Sequence, residues 1–311
     1  MSSTTVGAVR QSILLFSRVQ HHAIGRRPPL SLPIRWVANR YIPWAARSSF
    51  KAGIHRVNDV LMEIPRPPDW GGGGEFHMAL GTYEHTELSY VIESLRPGDT
   101  FVDVGAHIGY FALPAAKKVG PTGAVLAIEP TPSSVAMLRR NIALNGFQSV
   151  KVIEAAASRS NGHALFAVDE TVPMWNALIE QEGQSQSRAM RVQTVKLDTV
   201  LAGLGGRPVA CIKIDAEGAE TAVLEGARDV LERNPNVRVI FEVSGQDPRR
   251  RAQSIATLQF LEQRGFAFRR LRTPGIGPHV GLASLIKTLQ PGPWQQSLFN
   301  VVAEISWLRR S

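Results

Sequence analysis

Residues 99–116 read DTFVDVGAHIGYFALPAA. TFVDVG, from Thr100 to Gly105, is a short apolar, β-branched run closed by glycine, which predicts a buried strand. YFALPAAKKVG, from Tyr110, then predicts an apolar helix ended by Gly120. Strand, glycine turn and helix form the opening unit of a parallel sheet wound with helices, and the chain downstream repeats the alternation. AVLAIEP (124–130) is a second strand. Thr131 as N-cap and Pro132 in the first turn start a helix with Val135, Leu138 and Ile142 on one face, stopped at Asn145 and Gly146. SVKVIEAAA (149–157) is a third strand, PVACIKID (208–215) a fourth and NVRVIFEVSG (236–245) a fifth. The helix after Gly218 places Val223, Leu224, Ala227, Val230 and Leu231 at helical spacing, and another runs from about Arg249 to Gln263.

Residues 158–207 interrupt this rhythm with two extra strands, HALFAV and RVQTVKL, around a polar loop. FAFRRL (266–271) and SLFNVVAEI (297–305) follow with no helix expected between them, a terminal antiparallel pair on an otherwise parallel sheet. The fold class is therefore α/β, Rossmann-like and doubly wound. Residues 1–70 form a basic, proline-punctuated extension that ends near the run WGGGG, and residues 71–311 form the main domain.

Net charge of +9 at pH 7 suggests a nucleic-acid binder until it is mapped. Nine of the 35 Lys and Arg lie within the first 56 residues, where there is no acid, and the other 26 equal the 26 Asp and Glu. The main domain has no basic surplus for a polyanion, so no nucleic-acid partner is expected there. The arm, with Trp36, Tyr41, Trp44 and Phe50 among arginines, is open to three uses: packing on the domain, lying on an anionic membrane surface, or organelle targeting. No apolar run is long enough to span a bilayer, so a soluble, cytoplasmic protein with at most peripheral membrane contact is expected. The single cysteine, Cys211, lies in an apolar run and is read as an inert core thiol, which excludes an intrachain disulfide and a zinc site.

In an open parallel sheet, ligands bind beyond the carboxyl ends of the strands, so the first turn is the place to look. A dinucleotide site needs Gly-x-Gly-x-x-Gly there. This turn instead has Asp103 followed by Gly105, Ala106, His107, Ile108 and Gly109. An acid repels pyrophosphate but suits a cationic amine. Glu129, ending the next strand, can accept from both hydroxyls of a ribose. A ligand with a ribose, an ammonium group and no phosphate satisfies both acids, and S-adenosyl-L-methionine is such a ligand.

The chain resembles the FkbM family of S-adenosylmethionine-dependent methyltransferases over about residues 76–270, through GTYEHTE, RPGDTFVDVGAHIGYF, IEPTPSSVAMLRRNIALNG, VKVIEAAAS, VQTVKLDTVL, IKIDAEGAETAVLEGA and VIFEVSG. The KIDAEGAE block is the most specific of these. The resemblance implies a class I methyltransferase in which Asp103, Gly105, Ala106 and Gly109 surround the methionine part, Glu129 holds the ribose, and Ala155 and Ala156, ending the third strand, border the adenine. His107 stands where the family has asparagine, either as a further cofactor contact or as a helix-cap histidine.

A sulfonium methyl is already electrophilic, so the protein chiefly aligns a nucleophile, and a hydroxyl acceptor also needs its proton removed. Lys213 and Asp215 project the same way from an extended strand, so the lysine can keep the aspartate ionised and oriented. Asp215 is the first candidate for general base or metal ligand, Glu217 the second, and Glu242 lies within reach. Together the three offer an oxygen-ligand set for Mg²⁺. Alternative readings make Glu217 a helix-dipole acid, and Glu220 and Glu225 solvated helix residues. Methyltransferases of base amino groups resemble one another in an Asn/Asp-Pro-Pro-aromatic turn at this strand end. Here it is Asp215, Ala216, Glu217 and Gly218, which favours an oxygen acceptor, and the resemblance implies a hydroxyl on a small molecule such as a sugar, glycolipid or polyketide-type product. The competing expectations are RNA, protein or a membrane lipid approached through the arm, and a non-catalytic nucleotide binder or dehydrogenase. Trp175 and the Gly/Pro-rich run 273–281 with His279 are candidate rim elements.

Overall fold

In the computed structural model, residues 52–65, 77–79, 81–168, 177–179, 188–205, 207–272, 275–289 and 298–305 are described. The arm residues before Ala52 and the candidate rim residue Trp175 lie outside them. The chain divides into two compact units, Met1–Thr86 and Glu87–Ser311. Among the described residues no helix is long and apolar enough to cross a membrane.

The first unit contains a hairpin of β1 (Gly53–Val57) and β2 (Val60–Ile64). Its two-residue turn, Asn58 and Asp59, has φ of 47° and 65°, the doubly left-handed geometry whose twist matches paired strands. Val57, Val60, Met62 and Ile64 are buried, so this part of the expected extension is structured.

The second unit is built on an eight-stranded sheet. Its elements are α1 (His85–Ser94), β3 (Thr100–Val104), α2 (Ala112–Val119), β4 (Ala124–Ile128), α3 (Pro132–Asn145), β5 (Val150–Ile153), β6 (Ala156–Ala157), β7 (Gly162–Val168), β8 (Ala177–Ile179) and β9 (Arg188–Val195). They continue with α4 (Leu197–Ala202), β10 (Val209–Ile214), α5 (Glu220–Glu225), α6 (Arg228–Arg233), β11 (Arg238–Ser244), α7 (Pro248–Glu262), β12 (Phe266–Leu271), β13 (Ile276–Val280), α8 (Leu282–Thr288) and β14 (Leu298–Ile305). The main sheet runs β13-β12-β14-β11-β10-β3-β4-β5, and a smaller one β6-β9-β7-β8.

Strands β5, β4, β3, β10 and β11 are mutually parallel, while β14 pairs antiparallel with both β11 and β12. Winding runs outward in both directions from β3 and β10, which puts a crevice at their tips. The expected terminal strands do pair antiparallel, but β14 inserts between β11 and β12 instead of extending the edge. Strand β13 and helix α8 lie between them in sequence, where no helix was expected. The run 273–281, expected as a rim loop, supplies β13, whose Pro278 is tolerated because β13 is an edge strand.

Alternation along the strands divides their side chains between two faces. Val102, Val104, Leu126, Ile128, Ile212, Ile214, Val239 and Phe241 face one side and form a core with Val223, Leu224, Val230, Leu231, Leu258 and Leu261 from α5, α6 and α7. Cys211 is on the other face with no exposure, and burial pushes its thiol up to about 12, consistent with an inert core residue.

Two further expectations are corrected in detail. The third strand ends at Ile153: Ala156 and Ala157 leave the main sheet to pair with Thr194 and Val195 of β9. The helix after Gly218 is two short helices, α5 and α6, although all five expected apolar residues are buried. The break falls at Gly226, where a Cβ would stand 2.1 Å from the Ser158 carbonyl oxygen, and the Gly226 carbonyl accepts from the Asp198 N–H at 2.9 Å. Because that oxygen belongs to backbone, it cannot swing aside. Gly226→Ala is expected to destabilise the domain by roughly 3 kcal/mol, at the upper end for single substitutions, and to lower the melting temperature by about 10 °C in calorimetry.

Candidate active site

Strand register brings the chemistry together. Asp103 pairs with Ala127 on one side and Lys213 on the other, and Lys213 pairs with Ile240. Glu129, Asp215 and Glu242 each lie two residues beyond one of these positions. They therefore share the face of Asp103 and Lys213, at the carboxyl ends of four adjacent strands. Asp103, Glu129, Lys213, Asp215 and Glu242 form one acidic tip with a single lysine among them.

Asp103 is 1% exposed, and neither carboxylate oxygen makes a hydrogen bond of full geometry, the Ala112 N–H favouring its charged form only weakly. Burial pushes its pKa up to about 6, partly opposed by Lys213 and raised further by Asp215 and Glu129. Lys213 is also buried; its Nζ donates to Asp215 Oδ2 at 3.0 Å and stands 4.4 Å from the centre of the Phe111 ring. The expected Lys213–Asp215 contact is therefore present, and Phe111 adds a cation–π contact to the same ammonium. Asp215 keeps 32% of its side chain exposed.

The turn after β3 is held by backbone. Gly105 and Ala106 N–H both donate to the Ile128 carbonyl, and Asp215 N–H donates to the Val104 carbonyl. At Gly105 φ is 80°, and a Cβ would lie 2.3 Å from the Asp215 carbonyl oxygen, so glycine lets the two strand-end loops touch. Asn141, fully buried on α3, donates from Nδ2 to the Ile108 carbonyl at 3.0 Å and braces the same turn.

Glu129 is buried. One oxygen accepts from His107 N–H at 2.9 Å and the other from Thr131 N–H at 2.9 Å. Burial raises its pKa, while the Thr131 and His107 bonds oppose the rise. Thr131 holds the N-cap position of α3 without capping the helix through its side chain; its hydroxyl serves Glu129 instead. His107 has φ of 48°, in the left-handed region where Asn, Asp and His are the enriched side chains, so the backbone here accommodates histidine. It caps no helix through its ring: Nδ1 is buried without a partner, and burial pushes the imidazole down to about 4, leaving it neutral at physiological pH.

Glu217, also left-handed at φ 48°, turns to Arg250 on α7 and forms an ion pair with its Nη2. Glu220, read from sequence as solvated, is buried. Its Oε1 accepts from Gly218 N–H at 3.0 Å, and burial raises its pKa. Glu225 is partly exposed and pairs with Arg159 at 3.1 Å. Ala155 and Ala156 are buried just past the end of β5, where Ala155 N–H bonds the Ile153 carbonyl. His279 stands on β13 with Nε2 3.7 Å from Glu304.

Among the described residues no three of His, Cys, Asp and Glu stand close enough to hold a metal ion. With Glu217 committed to Arg250 and Asp215 to Lys213, the expected Mg²⁺ set of Asp215, Glu217 and Glu242 does not converge. The fit to a nucleoside with an ammonium group is better. Asp103 offers two buried carboxylate oxygens, and Glu129 keeps acceptor capacity beyond its bonds to the His107 and Thr131 N–H groups and the Thr131 hydroxyl.

A doubly wound sheet with β14 inserted antiparallel and an acidic, glycine-turned switch point defines a class I, S-adenosylmethionine-dependent methyltransferase. Residues 103–268, just over half the chain, match the Methyltransferase FkbM domain, and the protein belongs to that family. It is 30% identical over 218 residues to the methyltransferase sdnD of Sordaria araneosa, covering 60% of this chain and 81% of the relative. It is 28% identical over 165 residues to the 31-O-demethyl-FK506 methyltransferase FkbM of Streptomyces tacrolimicus, covering 43% and 62%. A crystal structure of methyltransferase FkbM from Methylobacillus flagellatus superposes with a TM-score of 0.42 at 14% identity, over 75% of this chain and 55% of that one.

Proposed function

We propose that the enzyme transfers the methyl group of S-adenosylmethionine to a hydroxyl of a small molecule, a sugar, glycolipid or polyketide-type product. The carrying observation is the register that puts Asp103, Glu129 and Asp215 on one face, with the Asp103 oxygens lacking a hydrogen bond of full geometry. In this reading Asp103 takes the cofactor ammonium and Glu129 the ribose hydroxyls. Gly105, Ala106 and Gly109 form the turn that borders the methionine part, the neutral His107 ring offers a further contact, and Ala155 and Ala156 border the adenine through backbone. When bound, S-adenosylmethionine supplies a methyl carbon on a positive sulfur. Asp215 receives the proton of the acceptor hydroxyl while Lys213 fixes its Oδ2. The small-molecule hydroxyl acceptor is supported by the name of the 31-O-demethyl-FK506 methyltransferase, and a cytoplasmic setting belongs to the same reading.

The test is calorimetry with S-adenosylmethionine and with NAD, followed by transfer of labelled methyl to a panel of hydroxyl compounds and to RNA. Saturable S-adenosylmethionine binding with label on a small hydroxyl compound is expected. Binding of NAD alone overturns the reading, and label on RNA that falls steeply with salt replaces the acceptor with a polyanion.

A further inference from the structure

The loop from Asp215 to Glu220 carries the proposed base, yet it is anchored from outside the sheet. Two side chains of α7 reach it, and a third holds the helix that follows. Arg250 pairs with Glu217, Gln253 Oε1 lies 2.7 Å from where a Cβ of Gly218 would stand, and the Thr257 hydroxyl is 2.8 Å from that of Thr221. Helix α7 is itself fixed at its start, because Asp247 caps it by accepting from Arg250 N–H at 2.9 Å. Arg250 thus has its backbone in the cap and its guanidinium in the loop.

Two cations divide the acidic tip. Lys213 lies between Asp103 and Asp215. Arg250 serves Glu217 directly and also lies in the fields of Glu220 and Glu242; burial alone would lower its pKa, and these three carboxylates raise it. Glu217 holds a left-handed backbone that a side chain of its type adopts only at a cost, so something must keep it there. The guanidinium does so, and it offsets the field of Asp215, which together with burial raises the pKa of Glu217.

We propose that Arg250 is a positioning residue for methyl transfer: by holding Glu217 it fixes the loop that carries Asp215 and keeps a second, unpaired carboxylate from competing with Asp215 for the acceptor proton. This rests on Asp215 being the base. It adds a residue that lies outside the conspicuous motifs and acts through Glu217.

The experiment compares wild type with Arg250→Met, Arg250→Lys and the double variant Arg250→Met/Glu217→Gln. Each is measured for S-adenosylmethionine affinity, for kcat and KM on a hydroxyl compound that wild type methylates, and for the pH dependence of kcat. Arg250→Met is expected to bind cofactor within about twofold of wild type and to lose about 10²-fold in kcat, the scale of a misplacement near 1 Å. Its acid limb should move up by about one pH unit or more, because the unpaired Glu217 holds a proton beside Asp215. Arg250→Lys should fall between, and the double variant should return the limb to its wild-type position. Should Arg250→Met not fold, the lysine and double variants decide the matter by the same limb. An unmoved acid limb, or a loss that the double variant does not relieve, reduces Arg250 to a structural brace and overturns the proposal. Failure of wild type to bind S-adenosylmethionine overturns the functional reading itself, so the two failures are distinct.

Discussion

Asp103→Asn should abolish cofactor binding and, at neutral pH, make the protein more stable. The carboxylate is buried without a hydrogen bond of full geometry, and its pKa in the fold is about 6, against 3.8 for the free side chain. A raised acid pKa means the native state holds the proton more tightly than the unfolded chain. The resulting stabilisation is fully present below the unfolded value and is lost as pH rises through 6. At pH 7.5 the ionised group therefore costs about 3 kcal/mol relative to its protonated form. Asparagine removes that cost but leaves Lys213 with one fewer anion, so a net gain of about 1 kcal/mol, or roughly 3 °C in melting temperature, is expected at pH 7.5 and none at pH 4.5. Cofactor affinity should fall by at least about 10²-fold, since the ammonium loses a buried charge partner. Titration calorimetry of wild type near pH 6, in buffers of different ionisation enthalpy, should show a proton released as the ligand binds. Equal affinity in both forms, or a destabilised asparagine variant at pH 7.5, counts against the assignment.

Asp215→Asn separates binding from chemistry. The variant keeps the shape of the loop and the Gly105 contact, which involves only the Asp215 backbone. Cofactor binding should stay within a few-fold, while kcat falls by about 10² to 10⁴, the range for loss of a positioned base. Substrate KM should change little, because the base acts on a proton in the transition state and adds little to ground-state binding. A variant with near-normal kcat would show that Asp215 is not the base and would move attention to Glu242, one strand over on the same face.

Much of this site was legible because strand periodicity alone fixes which side chains share a face. Asp103, Glu129, Lys213 and Asp215 sit in runs that could only be strands, and strands that end in a parallel sheet end together. What was not legible depends on contacts between distant segments. Arg250 lies on a helix 33 residues after Glu217, and nothing local marks it among three consecutive arginines. The burial of Glu220 follows from α7 covering the loop, which no helical periodicity within α5 reveals. The break at Gly226 is a packing event against Ser158, almost 70 residues earlier in the chain. The β1–β2 hairpin is different: the Asn58-Asp59 pair between apolar residues was a readable turn signal, overshadowed by the basic composition around it.

The placement of β14 has a consequence for how the chain matures. Strands β11 and β12 are each completed by it, so both present unpaired amide and carbonyl groups for as long as residues 298–305 remain on the ribosome. The nascent polypeptide can assemble β3, β4, β5 and β10 early, but the halves flanking β14 join only when the last described strand slides between them. During synthesis, these open edges wait for a segment made after them, and in that interval they are exposed to non-native pairing.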